Sequence, residues 1–192
     1  MTTRAEVIAY ARSLAGLSAS PECPASAYAY AALIAPGEGE RRTAEMVANS
    51  GCALTCRAIL RRFISHPLLL PPYHSGAAVS ELVQIARGAG ALRPPTVEPT
   101  PGDMVLVGGG VDGGGTEHVW TVLFSVPSPY DEGAWLITGL DGGQRDRGGH
   151  EAIALRDHEL RGGWDIVSTG ARRVRWVLDV EQIVTVFGRA VE

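Results

Sequence analysis

The chain has 192 residues, 45% of them hydrophobic and 20% charged, with a formal net charge of −4. That is long enough for one domain to bury a core without disulfides or structural metals. The acidic balance offers no basic face for nucleic acid, and no apolar run approaches the roughly 20 residues that a bilayer-spanning helix needs.

All 17 basic residues are arginine, which fits the coding bias of a GC-rich bacterial genome. At the N-terminus, Glu6 and Arg12 interrupt any apolar stretch, so the segment lacks the apolar centre of a secretory signal. The expectation is a protein that is cytoplasmic as synthesised. Three cysteines without framework spacing argue against a disulfide scaffold.

Residues 4–15 place Val7, Ile8, Ala11 and Leu14 on one helical face. A segment rich in Pro, Ser, Ala and Gly follows from about 16 to 40, where Pro21, Pro24 and Pro36 argue for a loop; within it Tyr28 to Ile34 is apolar enough to pack. A short helix is expected from Arg42 to Ala48, interrupted by Asn49, Ser50 and Gly51. Asn and Ser are cap-forming residues, so a new helix would open at Cys52 and run to about Ile64. A further helix covers AVSELVQIARGAG, with Val79, Leu82, Val83 and Ile85 or Ala86 inward.

Pro94, Pro95, Pro99 and Pro101 then keep the chain extended and non-helical. After them MVLVG, HVWTVLFSV, AWLITGL, EAIAL and VRWVL read as five strands rich in β-branched and aromatic residues, separated by glycine clusters. Helices followed by strands predict a single α+β domain, with a helical part to about residue 92 and a β part from about 102. Its antiparallel sheet of about five strands should be covered by helices on one face. Arg172, Arg173 and Arg175 fit a solvated strand face.

Cys52 and His118 are the residues best suited to chemistry. A thiol at a helix start sits where the dipole and free N–H groups favour thiolate. An imidazole on a rigid strand can take its proton. Cys56, one turn on, faces the same way and reads as a core residue; Cys23 lies between prolines. His66, His150 and His158 fall in polar or turn contexts and read as surface residues. His74 and Tyr73, in PPYHSG after the cysteine helix, are candidates to line a cleft. Asn49 and Ser50, just before Cys52, are placed to help build an oxyanion site with its N–H. Asp103 reads as a turn or cap residue before a strand. The Cys-x₃-Cys pair has no second compact ligand pair, so no metal is expected, and GGGVDGGGTE lacks the G-K-[ST] ending of a phosphate loop. No cofactor is called for.

The order of a cysteine helix, a PGD strand (Pro101, Gly102 and Asp103 in PGDMVLVG) and a strand opened by His118 and Val119 resembles the papain-like bacterial cysteine hydrolases, the NlpC-type peptidases and CHAP amidohydrolases. The resemblance covers about residues 42–145. It implies a papain-like fold, and a third catalytic member on the strand after the histidine strand: Asp141 at the end of WLITGLDGGQ, with Gln144 as the alternative. It also implies an amide or peptide substrate in peptidoglycan, reached by phage lysis or a secretion system. Three positions depart from the pattern: Gly51 and Ala53 flank the cysteine where the family has Asp and Ser, and Trp120 stands where it has a small residue. Two other readings stay open: a deamidase, acyltransferase or protease acting on an intracellular protein, and an inactive papain-like binding module. Oligomeric state is not legible.

Overall fold

The computed structural model describes residues 2–37, 40–70, 78–108, 117–161, 165–166 and 172–188; of residues 40–50, 78 and 165–166 only the backbone is described. Within them the fold combines helices with one antiparallel sheet, an α+β arrangement. Helix α1 (Arg4–Ser13) starts with a capping box, in which Thr3 and Glu6 satisfy each other's backbone amides, and buries Val7 and Ala11. The proline-bearing segment expected as a loop contains α2 (Pro24–Ile34). Pro24 occupies its first position, where a missing N–H costs nothing, and Tyr30 and Ile34 are buried.

The larger correction concerns the helix that carries Cys52. Instead of two helices broken at residues 49–51, one helix, α3, runs from Glu40 to Phe63, so Cys52 lies near its middle. Gly51 costs the helix only about 1 kcal/mol relative to Ala, and it has a packing reason for being there. A Cβ at Gly51 would lie 2.8 Å from the Cα of Gly143, so the glycine marks a close approach between elements. Ala53, Leu54, Cys56, Ile59 and Leu60 of α3 are buried at the centre of the larger core, between the other helices and one face of the sheet. Helix α4 (Ala78–Gly88) adds Leu82, Ile85 and Ala86 to that core. A C-terminal helix not foreseen from sequence, α5 (Val180–Phe187), adds Val180, Ile183 and Val184 after an Asp179 cap.

All five expected strands form, as β2 (Met104–Gly108), β3 (His118–Pro127), β4 (Trp135–Arg145), β5 (Glu151–Arg161) and β7 (Arg172–Leu178). Two-residue strands β1 (Leu92–Arg93) and β6 (Asp165–Ile166) bring the sheet to seven, in the order β1-β7-β2-β3-β4-β5-β6. Because β6 pairs with β7 as well as β5, six of these strands close into a ring. The face turned away from the helices is therefore enclosed. Val105, Val107, Trp120, Val122, Ile137, Leu160, Val174 and Val177 fill it as a second core, as expected of a ring this small. The helices cover one face of the sheet, as expected, and closure hides the other face too.

Asp103 anchors the entry to β2. Fully buried, it binds Arg4 (2.8 Å) and Arg93, and accepts the Thr100 amide at 2.9 Å. The PGD turn is thus tied to the first helix and to β1. No helix of the described residues is long and apolar enough to cross a membrane.

Candidate active site

The site forms where α3 crosses the end of β4, and glycines permit the approach. The register of β4 against β5 shifts between Asp141 and Gln144, and Gly143 in this bulge has φ +70°, a conformation glycine adopts without strain. A Cβ on Gly142 would collide with Thr55 Oγ1 and lie 2.5 Å from the Gly51 carbonyl. Side-chain-free backbone on both elements therefore brings the end of β4 onto the helix beside Cys52.

Cys52 is half-buried and has no disulfide partner. The His118 side chain and the backbone N–H groups of Val119 and Ala53 lie near enough to favour its thiolate. His118 opens β3, with its side chain 18% exposed, and its Nε2 lies 2.5 Å from Asp141 Oδ1. With Nε2 engaged, Nδ1 is the ring nitrogen left to face the sulfur. Asp141 is 1% exposed. The structure thus brings Cys52, His118 and Asp141 together from a helix and two adjacent strands.

Electrostatics favour an ion pair. Burial raises the Cys52 thiol, but the hydrogen bond and charge of His118, with the two backbone amides, outweigh it and hold the thiol below its ordinary value. Burial works against the charged form of His118, yet Asp141 and Cys52 push it up to about 9. Burial likewise opposes ionisation of Asp141, and the hydrogen bonds from His118 and His158 more than offset it, leaving the carboxyl below its usual range. The arrangement can hold a thiolate beside an imidazolium near neutral pH. The reason for activation given by the sequence, a helix start, does not apply: Cys52 lies mid-helix, and the dipole acts mainly within the terminal turns. The imidazole and the Val119 amide take over that work.

Cys56 is fully buried, and its sulfur lies 3.7 Å from Thr121 Oγ1. Burial raises its thiol well above the ordinary range, so it is inert beside Cys52. Cys23 is exposed at the start of α2 and lies outside the series. Gln144, the alternative third member, lies past the bulge in register with Ala152; the bond to His118 comes from Asp141. Tyr73 and His74 fall outside the described residues, as do the side chains of Asn49 and Ser50. The backbone of Asn49 and Ser50 is helical, which removes the free helix end on which an oxyanion site there was argued. Among the described residues no cluster of three or more His, Cys, Asp or Glu side chains is arranged to hold a metal ion.

His158 is the residue that the sequence reading misplaced. It is 6% exposed, not a surface residue, and its Nε2 lies 2.9 Å from Asp141 Oδ2. Its ring stacks on Trp120, with centroids 4.2 Å apart and planes 10° from parallel. Strand alternation carried the signal: His158 shares a face of β5 with Leu160, which belongs to the enclosed core. Gly139 leaves room for the stack, since a Cβ there would lie 2.7 Å from Trp120 Cε3. Trp120, a departure from the resembling family, thus has a place inside the ring. No family model, curated protein or solved structure matches the chain.

Proposed function

We propose that the protein is a cysteine hydrolase of papain-like design that cleaves an amide bond through an acyl-enzyme. The observation that carries this reading is the grouping of Cys52, His118 and Asp141, with His118 beside the thiol and its Nε2 2.5 Å from the Asp141 carboxylate. Nucleophile, base and orienting anion in contact are the recurring equipment of thiol acyl transfer.

In the proposed reaction the Cys52 thiolate adds to the substrate carbonyl carbon. The C–N bond then breaks as the His118 imidazolium gives its proton to the departing amine. Water, deprotonated by the now neutral His118, attacks the thioester and releases a carboxylic acid and the free thiol. Asp141 keeps its negative charge throughout, holding the ring and stabilising its protonated form. The Val119 amide supports the thiolate before attack.

The substrate class follows from the resemblance in motif order, and is the peptide moiety of peptidoglycan. Incubating purified protein with sacculi and analysing soluble fragments by mass spectrometry tests this. Muropeptide release that disappears in Cys52→Ala and His118→Ala supports the reading. If sacculi stay intact while a protein in cytosolic extract is cleaved or modified in a Cys52-dependent way, the chemistry stands and the wall substrate is wrong. Inactivity on both, with Cys52 no more reactive than Cys23, rejects the hydrolase.

A further inference from the structure

We infer that His158 is a positioning residue of this site: by donating Nε2–H to the second oxygen of Asp141, and held flat against Trp120, it keeps that carboxylate an oriented anion facing His118. The inference rests on the hydrolase reading and extends the series by one member into the enclosed core.

The two ring nitrogens of His158 have different surroundings. Nε2 faces Asp141 Oδ2 at 2.9 Å, while Nδ1 is buried with no hydrogen-bond partner among the described residues. A neutral imidazole carries one proton. Placing it on Nε2 makes a bond to an anion, which is worth more than a bond between neutral groups. It leaves at Nδ1 a bare lone pair, where the other tautomer would bury an unpaired N–H and set two acceptors face to face. The proton therefore belongs on Nε2. The rest of the ring lies among apolar side chains, so a polar residue is kept there for this single bond.

Asp141 has need of it. At 1% exposure, a carboxylate with one hydrogen-bond donor is costly, and burial favours its protonated form. A protonated Asp141 would offer His118 a hydroxyl in place of a negative charge, and the imidazolium would lose its counter-ion. The second donor makes both carboxylate oxygens acceptors and prevents this. It also fixes the carboxylate plane, because Oδ1 and Oδ2 are tied to different strands, β3 and β5. Trp120 in turn fixes the His158 ring, and Gly139 admits the pair. Asp141 thereby links His158 of β5 to His118 of β3.

The test reads the thiol and not substrate turnover. Full-length wild type, His158→Phe and His158→Gln are alkylated with iodoacetamide across acidic to neutral pH, and Cys52 labelling is followed by peptide mass spectrometry. Phe keeps a ring against Trp120 without a donor; Gln keeps an N–H close to the position of Nε2. In His158→Phe the acid limb of labelling moves up by about one pH unit, so that labelling at mildly acidic pH falls about tenfold, and His158→Gln recovers most of the loss. A His158→Phe profile superimposable on wild type overturns the inference, and so does a folded His158→Gln as impaired as Phe. Should His158→Phe fail to fold, ¹⁵N spectra of histidine-labelled wild type decide: a proton on His158 Nε2 at neutral pH supports the assignment, and its absence overturns it. Failure of the hydrolase reading looks different, since wild-type Cys52 would then show no enhanced reactivity at all.

Discussion

Asp141→Asn removes one negative charge from the site while keeping the side chain's volume. In the native site His118 stands at about 9 against an ordinary 6.5, with Asp141 hydrogen-bonded at 2.5 Å as a principal cause. Without the charge, burial still opposes the imidazolium and only Cys52 supports it, so the imidazole falls back toward its ordinary value. A drop of this size is worth roughly 3 kcal/mol, or two orders of magnitude in the imidazolium–thiolate population. Asn also has one acceptor oxygen for two imidazole N–H groups, so one is left unpaired at a cost of about 1–3 kcal/mol in stability. The assay is the second-order rate of iodoacetamide labelling at mildly acidic pH, with Cys52 quantified by peptide mass spectrometry and folding checked by near-ultraviolet circular dichroism. Labelling of Cys52 is expected to fall roughly a hundredfold. A folded Asp141→Asn protein that labels at the wild-type rate would show that the carboxylate does not sustain the pair, and the mechanism would fail with it.

Cys56→Ala should retain labelling of Cys52 and lose about 1 kcal/mol in urea unfolding, whereas Cys52→Ala abolishes hydrolysis with the fold intact; activity lost in the first variant would move the nucleophile one turn along α3. Gly142→Ala should cost about 1–3 kcal/mol by overpacking against Thr55 and the Gly51 carbonyl and slow Cys52 labelling by displacing the end of β4; a neutral result would show that the crossing is loose. In Cys52→Ala, where His118 keeps only Asp141 as a charged partner, the raised imidazole adds roughly 1–3 kcal/mol of stability that is fully present below pH 6.5 and lost as pH rises through the folded value; urea unfolding that is flat across that window would contradict the pairing. Asp103→Asn should cost about 1–3 kcal/mol by weakening the buried hydrogen bonds to Arg4 and Arg93, which keep Asp179 and, for Arg4, Glu181 as partners, with Cys52 labelling unchanged once the protein is folded.

Much of this arrangement was legible because it rests on local pattern. The five longer strands are alternating or continuous runs of β-branched and aromatic residues, and Cys52, His118 and Asp141 stand on elements whose existence periodicity could establish. What was hidden depends on contacts distant in sequence. Asn49, Ser50 and Gly51 look like a helix boundary, yet tertiary packing overrides that propensity, because Gly51 is where the backbone of Gly143 must approach. Strand β6 has two residues, too few for any periodic signal, but its pairing with β5 and β7 turns an open sheet into a closed ring. His158 was misread as well. In RDHEL its neighbours are polar and the strand expected from sequence stops at Leu155, so the alternation that pairs His158 with Leu160 was not read.

Placing the nucleophile in mid-helix also changes what must sustain it. A cysteine in the first turn could draw on free amides and the helix dipole, leaving its imidazole partner less to do. At Cys52 the helix contributes little beyond geometry, so the thiolate depends on His118, and His118 depends on an anion that is 1% exposed. Each member compensates for the desolvation of the one before it. Such a chain has to end in a group that can be buried neutral at small cost, and an imidazole that spends its single proton on Asp141 and stacks on an indole meets that condition. The enclosed core within the strand ring is therefore part of the site's electrostatics: it excludes the water that would otherwise screen the carboxylate from the imidazole.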